Sequence, residues 1–231
     1  MLVLVTRPEP AAHQTAARLE AMGHAALVDP MLRIVPTGAA LPQGRFDAVA
    51  FTSVNGVKAL AAHRDFARLS ALPAFAVGPR TAREALQAGF AAVTDCDGDA
   101  AALAGRLAAD LPAGARVLHP AGEKRAADLG ALLEGPGVCV TLAVVYAALP
   151  ANGLSAAARA ALGGGTIGAA LHFSPRTVKT LLACANAAKL DGALRGMRHL
   201  CLSAQVAAVL GACPSVEIAD APNEDALLAL L

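Results

Sequence analysis

Thr52-Ser-Val-Asn-Gly-Val-Lys-Ala-Leu60 and Phe173-Ser-Pro-Arg-Thr-Val-Lys-Thr-Leu181 share one pattern: an apolar run ends, a serine follows, and apolar residues then recur at helical spacing. Each reads as a corner where a strand feeds a helix, with Ser53 and Ser174 set to cap it. About half of the 231-residue chain separates the two copies, and other pairs keep nearly that separation. Ala76-Val-Gly-Pro-Arg-Thr-Ala82 answers Cys201-Leu-Ser-Ala-Gln-Val-Ala207, with Gly78 against Ser203. Val93-Thr-Asp95 answers Ile218-Ala-Asp220, and the opening Val3-Leu-Val-Thr6 with Gly23 is echoed by Val117-Leu-His119 with Gly137. A period this long is foreign to solenoids and implies two related α/β units.

Working outward, strand-length apolar runs alternate with helical patterns, which predicts parallel βαβ units. Strands are expected at 2–5, 25–28, 48–51, 74–77, 92–94, 117–118, 138–146, 168–172, 199–202 and 216–218. Helices are expected at 11–22, 54–62, 80–88, 100–111, 125–133, 155–162, 176–185, 204–210 and 224–230. The strands divide into two five-stranded parallel sheets with flanking helices. Only two strands precede the restart of the pattern, and the segment after Pro150 supplies three strands without an opening pair. The N-terminal domain is therefore expected to be discontinuous, 1–31 plus 150–231, with a second domain, 37–142, inserted into it. The crossings 32–36 and 143–149 alternate like strands and predict a two-stranded antiparallel linker. Such a linker is a hinge, and the cleft it creates is the expected binding site.

Composition narrows the function. Nineteen basic against 18 acidic residues leave a net charge of +1, without the broad positive field that a nucleic-acid partner requires. The first residues lack the basic-then-apolar layout of an export signal, so a cytoplasmic protein is expected. An uncharged stretch at 135–158 is interrupted by Pro136, Pro150 and Asn152, which predicts a buried strand and no membrane span. Five cysteines form no CxxC pair and are expected as reduced thiols, Cys139 and Cys201 as small core residues.

Ligands of parallel α/β sheets sit beyond the carboxyl ends of the strands, where helix N-termini aim N–H groups outward. Those ends read Thr6-Arg7-Pro8, Thr52-Ser53-Val54-Asn55, Val77-Gly78-Pro79-Arg80-Thr81, Pro120-Ala121-Gly122, Ser174-Pro175-Arg176 and Ser203-Ala204-Gln205. Any one serine there is equally a plain N-cap, but the set together points to a ligand with many carboxylates or phosphates. GxGxxG and GxxxxGK[ST] are both absent, and the six histidines are scattered without metal-ligand spacing. His119 and His172 fall at strand ends, where contact with solvent or a helix cap is expected. Tyr146, the sole tyrosine, lies on the second crossing, where a phenol can serve as proton donor.

These residues resemble the uroporphyrinogen-III synthase family. The resemblance rests on Val3-Leu-Val-Thr-Arg-Pro8, Pro30 to Pro36, Phe51-Thr-Ser-Val-Asn-Gly-Val57, Ala76-Val-Gly-Pro-Arg-Thr-Ala82, the strand ending in Tyr146, and Phe173-Ser-Pro175. It implies a monomeric enzyme without cofactor that acts on hydroxymethylbilane, received by transient hand-off from hydroxymethylbilane synthase. The implied reaction loses hydroxide from ring A, passes through a spiro intermediate and closes with ring D inverted, giving uroporphyrinogen III. Tyr146 matches a tyrosine implied to assist hydroxide departure, and its loss is expected to slow turnover without abolishing it. Substrate carboxylates are expected near Thr6, Ser53, Asn55, Gly78, Thr81, Gly122, Ser174, Ser203 and Gln205, with Arg7, Arg80 and Arg176 as charge partners. Where the family has a glycine-proline-threonine-threonine corner, this chain reads Ser203-Ala-Gln-Val206. A two-domain binding or sensing protein for a polycarboxylate is the alternative that the residues alone leave open.

Overall fold

The computed structural model describes residues 1–125 and 127–231. Two compact units form, Met1–Arg33 with Leu149–Leu231, and Ile34–Ala148. The first begins with β1 (Leu2–Val5), α1 (Ala11–Ala21) and β2 (Ala25–Val28). Next, β3 (Leu32–Pro36) leads into the second unit, which holds β4 (Ala48–Phe51), α2 (Val54–Ala61), α3 (Phe66–Leu69), β5 (Ala74–Ala76), α4 (Pro79–Ala88), β6 (Val93–Asp95), α5 (Ala100–Asp110), β7 (Arg116–Gly122) and α6 (Leu129–Leu133). Strand β8 (Cys139–Pro150) leads back to the first unit. There follow α7 (Ala156–Gly163), β9 (Ile167–His172), α8 (Pro175–Ala187), α9 (Asp191–Arg195), β10 (Arg198–Cys201), α10 (Ala204–Ala207), β11 (Val216–Ile218) and α11 (Glu224–Leu228).

The first unit carries a five-stranded sheet in the order β11-β10-β9-β1-β2, parallel throughout. The second carries β3-β8-β7-β4-β5-β6, in which β8 through β6 run parallel. Set side by side, β6-β5-β4-β7-β8 follows the same order as β11-β10-β9-β1-β2. Every repeated segment of the sequence thereby falls on its counterpart strand, Ser53 after β4 and Ser174 after β9.

Both sheets are buried on two faces, which is why their strands read as apolar runs. In β4, Val49 and Phe51 join one core cluster while Ala48 and Ala50 join the other. In β1, Leu4 faces one side and Val3 and Val5 the opposite side. The period-two alternation of a strand produces both splits. The few aromatics concentrate in the second unit, where Phe90 packs edge-on against Phe51 at 5.3 Å and Phe66 at 5.6 Å between centroids.

Several expectations need correction. The second sheet has six strands instead of five, because β3 lies beside β8: Ala151 N–H donates to the Met31 carbonyl and Thr37 N–H to that of Val145, both at 3.0 Å, an antiparallel pairing. Strand β8 runs unbroken to Pro150, merging the strand expected at 138–146 with the crossing expected at 143–149, beside β3, and β7 reaches Gly122, past 118, because its last residues pair with β8 up to Tyr146. The helix expected at 125–133 starts at Leu129, where Asp128 accepts from Gly130 N–H at 2.9 Å; its Ala126 lies outside the described residues. The helix expected at 204–210 stops at Ala207 and tightens into a 3₁₀ turn over Ala208–Leu210. Helices α3 and α9 are one turn each, too short for periodicity to announce. Cys201 is buried, but Cys139 is exposed at the start of β8 and is no core residue.

Candidate functional site

In the second unit, the carboxyl ends of β4, β5 and β7 carry Thr52-Ser53, Val77-Gly78 and Gly122, and Tyr146, within β8, lies opposite Gly122. Ser53 holds extended backbone at φ −160°, ψ 150°, and its Oγ accepts from Gly56 N–H at 3.1 Å to cap α2. That oxygen also lies 3.1 Å from the Tyr146 phenol. Two glycines seat the pair. A Cβ on Gly56 would stand 2.5 Å from the Pro120 carbonyl oxygen, so only glycine lets α2 approach β7 this closely. A Cβ on Gly122 would stand 2.7 Å from Tyr146 Cζ, so the ring lies flush on Gly122. The β7–β8 register shifts between Ala121 and Gly122, a bulge opposite Tyr146, and Glu123 N–H closes it on the Tyr146 carbonyl at 3.0 Å.

Behind this pair, Thr52 Oγ1 lies 3.1 Å from His119 Nε2. His119 is buried, where contact with solvent or a helix cap was expected, because β7 runs on past it beneath α2. Burial, and then the nearby Arg125 guanidinium, lowers its pKa to about 4, partly offset by Asp128. Arg125 itself donates to the carbonyls of Gly122 and Glu123 at 3.2 Å. Of the remaining residues here, Asn55 and Gly78 are half-buried, Arg80 is exposed, and Thr81 is buried in the first turn of α4.

In the first unit, Ser174 repeats the Ser53 geometry at φ −155°, ψ 149°, with its Oγ accepting from Thr177 N–H at 3.2 Å. Ser203 is likewise extended, but its side chain makes no cap, and Gln205 is exposed beside it. Arg176 is half-buried in the first turn of α8. Thr6 is fully buried and donates to the Leu171 carbonyl at 3.3 Å. Arg7 stacks over the Phe173 ring at 4.1 Å and pairs with Glu224 at 3.3 Å. His172, expected to meet solvent or a helix cap, is fully buried against His199, with Nε2 and Nδ1 2.9 Å apart. Its pKa falls to about 3 through burial and the His199 charge, and burial lowers that of His199 as well.

Spacing alone missed the Ser53–Tyr146 contact, which reaches from the end of β4 across β7 to β8, and the His172–His199 contact, which joins adjacent β9 and β10 through side chains 27 residues apart. An available signal was that His172 and His199 both sit in otherwise apolar strands. A depression of about 390 Å³ bordered by Pro150, Lys179 and Cys184 is lined by none of Ser53, Gly78, Gly122, Tyr146, Ser174 and Ser203. Among the described residues no group of three or more His, Cys, Asp or Glu could hold a metal ion, and no helix is long and apolar enough to cross a membrane.

The profile of the uroporphyrinogen-III synthase HemD family matches residues 13–229. No curated protein matches the chain by sequence. Among solved structures, uroporphyrinogen-III synthetase from Helicobacter pylori 26695 is similar, with TM-score 0.68 and 18% identity over 99% of this chain and 96% of that one. A mutant uroporphyrinogen III synthase from the extremely thermophilic bacterium Thermus thermophilus gives TM-score 0.52 and 20% identity over 99% and 96%. Those likenesses speak for the fold, and the profile, which covers most of the chain and the corners from Thr52 to Gln205, speaks for the lineage: this chain belongs to the uroporphyrinogen-III synthase family.

Proposed function

We propose that the chain is a hydro-lyase that cyclises hydroxymethylbilane to uroporphyrinogen III, with Tyr146 as the proton donor. The supporting observation is the Ser53–Tyr146 contact beside the carboxyl end of β4, which holds a phenol at a helix N-terminus. The hydroxymethyl C–O bond breaks with its electron pair passing to oxygen. That oxygen takes the phenol proton and leaves as water. The ring-A carbon, stabilised by its pyrrole nitrogen, is attacked by ring D to form the spiro intermediate, which reopens and closes with ring D inverted. Ring closure releases one proton, which restores the phenol, so the net change is loss of one water. Unassisted closure gives the other isomer, so much of the catalysis is holding the chain in one geometry.

The acetate and propionate groups of the substrate suit the backbone N–H groups near Ser53, Asn55, Gly78 and Gly122 in one unit and near Ser174, Ser203 and Gln205 in the other. Arg80 and Arg176 are the charge partners proposed for them. Thr6, Arg7 and Thr81 serve by fixing the backbone, since the Thr6 hydroxyl and the Arg7 guanidinium already have partners in the fold and Thr81 is buried. In this reading the repeats are two related domains, 1–31 plus 150–231 and 37–142, linked by 32–36 and 143–149, in a cytoplasmic monomer. Family membership supports the synthase and not a non-catalytic binder. Incubation with freshly generated hydroxymethylbilane, with the product isomers resolved, is the test. Type III product in excess of the spontaneous type I is expected; type I alone ends the proposal.

A further inference from the structure

We propose that Ser53 is a positioning residue for Tyr146: its hydroxyl donates to the phenol oxygen, leaving the phenol proton free to point away from the protein. This rests on the proposed role of Tyr146.

Each hydroxyl carries one proton, and the 3.1 Å contact takes only one of them. Ser53 Oγ already accepts from Gly56 N–H, the first turn of α2. Accepting that bond polarises the serine O–H and makes it the stronger donor, since hydrogen bonds in a chain reinforce one another. The positive end of the α2 dipole lies on the same side, so partial negative charge on the phenol oxygen is favoured there. The relay therefore runs from Gly56 N–H to Ser53 Oγ, and from Ser53 O–H to the Tyr146 oxygen. When Tyr146 gives up its proton, the charge left behind meets a donor already in place, the preorganised arrangement that stabilises developing charge best.

Nothing in the relay is free to drift. Extended backbone at Ser53 and the cap on α2 fix the serine. Gly56 against the Pro120 carbonyl fixes the helix, and Gly122 against the ring fixes the phenol. The second copy of the corner isolates what is particular to Ser53. Ser174 makes the same cap with the same backbone, but its hydroxyl lies 3.1 Å from Thr177 Oγ1, a residue of its own helix. Capping needs only the acceptor; the contact with Tyr146 is additional to it.

The chain has one tyrosine and no tryptophan, so the tyrosine Raman doublet, whose intensity ratio separates an accepting phenol oxygen from a donating O–H, reports Tyr146 alone. The wild-type protein is expected to show an accepting phenol, Ser53→Thr to retain that signature, and Ser53→Asp to reverse it. Aspartate keeps the helix cap, but a carboxylate only accepts, so the phenol must donate to it. Turnover to the type III isomer is expected to fall roughly tenfold in Ser53→Asp, the equivalent of one hydrogen bond, and to be rescued in Ser53→Thr. A donating phenol in the wild type, or a doublet unchanged by Ser53→Asp, overturns the proposal. The spectra are taken without substrate, so absence of type III product from the wild type would count against the synthase reading and leave the relay to be judged on the doublet.

Discussion

His172 Nε2 lies 2.9 Å from His199 Nδ1, and both rings are wholly buried. His199 Nε2 faces the Leu194 carbonyl at 3.0 Å, and a carbonyl only accepts, so that nitrogen carries the proton. His199 Nδ1 is then an acceptor and His172 Nε2 the donor. The two neutral rings form a directed chain from β9 through β10 to the Leu194 turn. Its start, His172 Nδ1, has no hydrogen-bond partner among the described residues.

Acid should therefore unfold this protein earlier than its carboxylates alone would predict. Burial holds His172 near 3 and His119 near 4, both below the ordinary histidine value of 6.5, and lowers His199 in the same direction. As pH falls through 6.5 the unfolded chain takes up protons that the folded chain refuses, so stability is complete above that value and declines toward the folded-state values. By about pH 5, His119 and His172 should each have removed roughly 2 kcal/mol. Thermal unfolding followed from about pH 7.5 to pH 5 measures it, and His119→Gln should reduce the slope. A melting temperature constant across that range would contradict the assignment.

Gly122→Ala is expected to displace the Tyr146 ring without unfolding the second unit. The obstacle is the ring itself, at 2.7 Å from the added carbon, and a ring can tilt. Gly56→Ala meets a backbone carbonyl at 2.5 Å, which can yield only by moving α2 from β7. Both overpack, at about 1–3 kcal/mol, with Gly56→Ala the more costly. Tyrosine fluorescence, again a single-residue probe, should change in Gly122→Ala at little loss of melting temperature. The reverse order of stability would mean that the helix is more yielding than the ring.

Thiol labelling of the native protein should find Cys139 first. It is exposed on β8, while Cys184 and Cys201 are buried, with burial raising both thiols and carrying Cys201 up to about 12. A thiolate is the reactive form, so Cys201 should stay silent until unfolding. Mass spectrometry of a time course at neutral pH would give the order, and early modification of Cys201 would contradict the packing of β10.

The same cysteines show what the sequence could and could not convey. Repetition placed Ser53 and Ser174, Gly78 and Ser203 on equivalent corners, because a strand-turn-helix junction writes its cap and its apolar spacing into consecutive residues. Cys139 and Cys201 both sit in apolar runs, yet only Cys201 is enclosed, since burial depends on which helix covers a strand end. His119 and His172 were misjudged for the same reason. The Ser53–Tyr146 contact depends on the order of strands β4-β7-β8, and strand order is a property of the whole sheet that no local pattern carries.

Arg7 looked in the sequence like a charge for the substrate, but its guanidinium is held within the first unit. Its side chain keeps 14% exposure, stacks on Phe173, donates to Thr15 Oγ1 at 3.2 Å and pairs with Glu224 at 3.3 Å. Glu224 also accepts from Thr15 and lies 3.6 Å from Arg18, while Arg18 pairs with Asp225. Both carboxylates stand in the first turn of α11, where the helix dipole favours them. The network ties α11 and α1 to the end of β1. Partial exposure limits what the Arg7–Glu224 pair is worth, so Arg7→Gln and Glu224→Gln should each cost about 1 kcal/mol, and the double variant little more than either alone. If the network is structural, KM for hydroxymethylbilane should stay within about twofold in all three, since less than about 0.5 kcal/mol of binding is then at stake. If Arg7 instead holds a substrate carboxylate, Arg7→Gln raises KM while Glu224→Gln, which releases the guanidinium, lowers it. Equal melting temperatures with opposite changes in KM would overturn the structural assignment.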